Sequence, residues 1–166
     1  MNDTPEFSHS LAINDIGAAT KRLMLEAGAQ ERAALAERFG LIDLAMLNAA
    51  LEVKRDAAGI SVVGQVHGQG NQPCVASGEP VPFLITEGIN LRLVFDVPAG
   101  GEIELSTEDL DVEPLLGDRV DLGEIAAQAF ALGLDPYPRS PVQVPGVISE
   151  EEAVAARSPF AVLKRG

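Results

Sequence analysis

The stretch from Asp121 to Pro141 constrains the fold more than any other part of the chain. Asp121 is a good N-cap, because its carboxylate can accept from an otherwise unpaired amide two or three residues on. Glu124 stands where a capping box would place it. Leu122, Ile125, Ala126, Ala129, Phe130 and Gly133 recur at the spacing of one helical face. The opposite face offers only Glu124 and Gln128 as polar groups. A helix of this kind must be covered on most sides, so the rest of the chain has to supply a surface for it. Asp135 before Pro136 leaves the helical region, and Pro138 and Pro141 keep the exit extended.

That surface reads as a sheet. Glu6–Ile13, Lys21–Ala27, Ala49–Arg55, Ile60–Gln69 and Val81–Val97 alternate apolar and polar residues with the period of a strand. Asp56-Ala57-Ala58-Gly59 joins two of them as a hairpin. Gly68, Gly70, Asn71 and Pro73 are expected to form a turn, and Gly88 a bulge. Gln30–Phe39 is rich in strong helix formers and ends at Gly40; Asp43–Asn48 is expected to add one further helical turn. These elements predict an α+β fold: an antiparallel β-sheet with a few helices packed against it, with a strongly curved, barrel-like sheet as one form it can take. A single domain over 1–145 and an extended C-terminal tail over 146–166, with a short helix, complete the expected organisation.

Charge is distributed unevenly. The net formal charge is −13, and the segment 96–124 holds ten carboxylates against Arg119 alone. This run reads as a solvated loop with a strand possible at Glu102–Leu105. It lacks the spacing of a calcium loop. A strongly negative chain repels phosphate backbones at long range and favours basic partners. Lys21, Arg22, Lys54, Arg55 and Arg92 are the cations a folded sheet could gather into a local patch for RNA. Glu102, Glu104, Glu108, Asp109, Asp111 and Glu113, with Phe160 and Leu163 of the tail, are the candidates for docking a basic protein.

Catalytic signals are weak. The single cysteine, Cys74, rules out an internal disulfide and a multi-cysteine zinc site. As a nucleophile it would need a nearby base, and His67 is the candidate; the alternative is a packing role. A small-ligand-binding domain centred near Cys74 would need a deep apolar cavity. Gly68-Gln69-Gly70 lacks the third glycine and the following helix of a phosphate-binding loop. No catalytic residue, metal ligand or cofactor is expected. Met1–Thr20 lacks the basic start and apolar block of a secretory leader. No apolar run approaches the ~18 residues of a membrane span, so a cytoplasmic protein without membrane contact is expected.

Three motifs together resemble the YceD family, the large ribosomal RNA subunit accumulation proteins. Gln72-Pro73-Cys74-Val75-Ala76-Ser77-Gly78-Glu79-Pro80-Val81 is similar to the family's central cysteine motif. Asp118–Glu124 running into Leu132-Gly133-Leu134-Asp135-Pro136-Tyr137-Pro138 resembles its Ile-Asp-Leu helix and closing Leu-x-Leu-x-Pro. Ser158-Pro159-Phe160-Ala161-Val162-Leu163 resembles its Asn-Pro-Phe-type ending, and the segment 34–41 extends the likeness over most of the chain. Many members carry Cys-x-x-Cys; Ser77 stands where the second cysteine would be, which argues against a zinc site here. The resemblance implies a non-enzymatic role in ribosome biogenesis, supporting accumulation of 23S rRNA. The partner would be large-subunit rRNA, a basic ribosomal protein or an assembly factor.

Overall fold

The computed structural model describes residues 6–95 and 111–140. Three long strands form the scaffold: β3 (Asp43–Arg55), β4 (Gly59–Pro73) and β5 (Pro80–Val94). They pair antiparallel in sequence order. β2 (Lys21–Glu26) flanks β3 antiparallel, and β6 (Asp111–Pro114) lies parallel to the end of β5. The sheet order is β2-β3-β4-β5-β6, with β2 and β6 at the edges. β1 (Ser10–Ala12) and β7 (Arg119–Asp121) form a separate antiparallel pair. Helix α1 (Ala29–Phe39) packs on β3, and α2 (Leu122–Leu132) packs on β4 and β5.

The architecture is α+β, with corrections to the expected sheet. It is mixed rather than antiparallel, because β6 runs parallel to β5. Among the described residues it is open rather than barrel-like, because β2 and β6 do not meet. Residues 43–48 are strand, not a helical turn. Their Ala, Met and Leu content favours helix, but pairing with His67–Asn71 overrides it, and a register shift between Leu44 and Met46 hides the alternation.

The expected turn at 68–73 is also strand. Gly70 lies so close to Asp43 O that a side chain there would collide with backbone. Gly88 opposes Gln65 in unbroken register, so the bulge lies in β3 and not at Gly88. Of the first expected strand only Ser10–Ala12 pairs, and Ile13–Asp15 forms a short 3-10 turn. The possible strand at Glu102–Leu105, the C-terminal helix and the tail lie outside the described residues.

One face of the sheet is the core. Leu47, Ala49, Leu51 and Val53 of β3 face inward beside Val62 and Val66 of β4 and Ile85, Ile89, Leu91 and Leu93 of β5. Leu122, Ala126, Ala127 and Phe130 of α2 are fully buried against them. Phe130 contacts Phe39 and Phe83, with ring centroids 6.0 and 5.8 Å away at tilted angles, within the favourable range for aromatic pairs.

Asp121 caps α2 as the sequence predicts, accepting from Glu124 N at 3.2 Å. It also accepts from His9 N and Ser8 Oγ, at 2.9 and 2.6 Å, tying down the N-terminal segment. Glu124 does not complete a capping box. Its carboxylate accepts two hydrogen bonds from Arg38 of α1, at 2.9 and 3.0 Å, and one from Gln128. Arg38 also reaches Glu6 at 3.0 Å, so one guanidinium joins both helices and the N-terminal segment.

Candidate functional site

The five candidate RNA contacts do not form one patch. Arg22 and Lys54 are exposed on the outer face, where Arg92 is partly exposed; Lys21 shares the inward phase of Leu23 and Leu25. Arg55 turns inward as well. It donates to Ile13 O at 3.2 Å and lies 5.3 Å from the centroid of the Phe95 ring. Arg22 is paired with Glu52 directly across β2 and β3, at 2.8 Å. Arg92 donates to both oxygens of Asp56, at 2.6 and 2.7 Å. This contact holds the Asp56 carboxyl below its ordinary range, helped by amide donors from Ala58 and Gly59 in the hairpin. Among the described residues Lys54 has no ion pair, and it stands between these two neutralised arginines.

Glu52 and Asp56 are neutralising partners that the sequence alone does not reveal. Glu52 is thirty positions from Arg22 and Asp56 thirty-six from Arg92, and only strand register brings them together. The outer face around them carries a groove of about 310 Å³. It is flanked by Met24 and Val63 over the small residues Ala50 and Gly64. Among the described residues no aromatic side chain lines this groove, so they offer no platform there for stacking unpaired bases.

Of the acidic candidates, Asp111 and Glu113 are described; Glu102, Glu104, Glu108, Asp109, Phe160 and Leu163 lie outside the described residues. Asp111 and Glu113 are exposed on the edge strand β6. Among the described residues neither forms an ion pair. With Ile125, Gln128, Ala129 and Leu132 of α2 they border a cleft of about 110 Å³ beside β5. Leu132, the last residue of α2, is 85% exposed. A carboxylate pair beside exposed apolar surface suits a lysine or arginine, whose aliphatic stem needs apolar contact and whose head needs an acid.

The cysteine motif closes a different junction. Cys74 N donates to Glu79 O, and Gly78 N to Cys74 O, both at 2.8 Å, forming a tight turn between β4 and β5. Gly78 takes a left-handed φ of 74° that favours glycine. The turn is fastened to the segment after α2. Gln72 Nε2 donates to Asp135 O at 2.9 Å, and Val75 N donates to Pro138 O at 2.9 Å. Ser140 N donates to Cys74 Sγ at 3.3 Å. That amide bond, followed by donors from Ser77 and Ala76, pulls the buried thiol down to about 7.

His67 is not the base that thiolate chemistry would need. It pairs with Thr86 across β4 and β5, with Nδ1 3.0 Å from Oγ1. Seven residues of extended chain, roughly 20 Å, separate it from Cys74. The described residues contain no group of three or more His, Cys, Asp or Glu placed to hold a metal ion. No described helix is long and apolar enough to cross a membrane. Compared with known proteins, the chain matches no family model, no curated protein and no solved structure.

Proposed function

We propose that this protein is a non-enzymatic factor of the YceD type that supports accumulation of 23S rRNA, acting as an acidic adaptor for a basic ribosomal protein or assembly factor. The observation that carries the adaptor reading is the contrast between the two charge sets. Three of the five candidate RNA-binding cations are engaged within the fold: Arg22 by Glu52, Arg92 by Asp56, and Arg55 by Ile13 O and the Phe95 ring. Asp111 and Glu113 stand exposed beside Leu132. With a net charge of −13, the long-range field opposes phosphate and draws a cationic protein.

Support for the family assignment comes from the meeting of two of its motifs. The Gln72–Val81 and Leu132–Pro138 segments are about sixty positions apart, yet they are joined by the Gln72–Asp135 and Val75–Pro138 hydrogen bonds. The biological role is tested by depleting the protein in its host and measuring the ratio of 23S to 16S rRNA. The expected result is a selective fall in 23S that the intact protein restores. Restoration should survive Lys54→Glu and fail with Asp111→Lys combined with Glu113→Lys. An unchanged ratio on depletion would remove the assignment.

A further inference from the structure

We propose that two copies of this protein join through the free edge of β2, extending the sheet across a two-fold axis. The backbone defines which groups are available. Ala27 N donates to Leu47 O at 2.9 Å, in the same register that pairs Lys21 with Val53. By the alternation of an antiparallel ladder, Lys21, Leu23 and Leu25 also turn their backbone groups toward β3. Arg22, Met24 and Glu26 therefore turn theirs to the outer edge. Among the described residues no strand pairs with that edge.

The side chains make this edge complementary to itself. In an antiparallel pairing with Met24 opposite Met24 of the second copy, Arg22 lies opposite Glu26, and Glu26 opposite Arg22. On the core side Leu23 meets Leu25. Residues directly opposite share a face, so both copies keep their cores on the same side of the joined sheet. Met24 is 78% exposed in the single chain, and Glu26 is exposed without an ion pair among the described residues. Arg22 keeps its contact with Glu52 on one side and has further N–H donors for Glu26 of the second copy. Charged residues on an edge usually deter pairing by repulsion; here the register sets opposite charges face to face. A one-pair slip toward Met24 opposite Arg22 loses both ion pairs.

The test is the mass of the intact chain in solution, by light scattering over a wide range of protein concentration. The expected result is a concentration-dependent species at twice 17.4 kDa. Met24→Lys sets two like charges at the axis and should weaken the dimer by at least about tenfold, with thermal unfolding showing that the variant folds. Paired backbone-bonded residues lie about 5.5 Å apart between Cα atoms, within disulfide range. Met24→Cys on a Cys74→Ser background should therefore cross-link on oxidation, and Leu84→Cys on the same background, a comparably exposed site on β5, should not. A monomer at every concentration overturns the proposal. So does a dimer that Met24→Lys leaves intact, or one that Met24→Cys does not cross-link.

Discussion

The ring of Phe130 occupies the space that a side chain on Gly68 would need: a Cβ at Gly68 would overlap the ring at Cε2 and Cδ2. The helix around which the fold is organised thus seats its largest residue on bare backbone of the central strand. Gly68 is glycine because of this close approach, and not because the chain turns there. Gly68→Ala is expected to cost about 1–3 kcal/mol through overpacking, and Phe130→Ala about 3–5 kcal/mol through the cavity it leaves. Because the two residues share one space, Gly68→Ala with Phe130→Ala should cost less than the sum of the separate changes. Denaturant unfolding of the four proteins measures this; additive losses would show that the contact is not a tight one.

Arg38 and Glu124 give the fold an acid-sensitive joint. The two hydrogen bonds from Arg38 hold the Glu124 carboxyl below its ordinary value of 4.5. A group whose folded pKa is depressed stabilises fully above its unfolded pKa, and that contribution is lost as pH falls through the lower folded value. Glu124→Gln should therefore cost about 1–2 kcal/mol at neutral pH. Its stability profile should also be flatter than that of the unsubstituted protein below about pH 4.5. Parallel profiles for the two proteins would mean that the pair is not formed.

Cys74 makes the corresponding prediction on the alkaline side. Donors from Ser140, Ser77 and Ala76 lower its thiol from the ordinary 9.0 to about 7. The folded state thus favours the thiolate, and the contribution is present above the ordinary value and lost as pH falls through 7. Thiolate ultraviolet absorbance should titrate near 7. The rise in stability between these two values should disappear in Cys74→Ser. A midpoint at the ordinary thiol value would show that the Ser140 amide does not reach the sulfur.

The parts of the fold legible in the sequence were those with local chemistry. Asp121 as a cap, Gly40 as the end of α1, the Asp56–Gly59 hairpin and the alternation of β2 and β5 all rest on a few adjacent residues. What stayed hidden depends on contacts distant in the chain. Residues 43–48 become strand only through their partners at 67–71. Carboxylates at Asp111 and Glu113 mask the short parallel strand that carries them. At the candidate sites the type of residue was visible but its engagement was not. Arg22, Arg55 and Arg92 read as free cations, and the folded sheet gives each of them a partner.

The most direct test of the adaptor account is capture of the tagged protein from host lysate, with and without RNase, at low and high salt, reading RNA and protein together. The account predicts that basic ribosomal proteins are recovered after RNase treatment. Salt should weaken that recovery, because exposed carboxylates are screened, and Asp111→Lys with Glu113→Lys should abolish it. Large-subunit RNA that remains bound without any ribosomal protein, and is released by salt through counterion uptake, would contradict the account and place the function on the cations of the sheet.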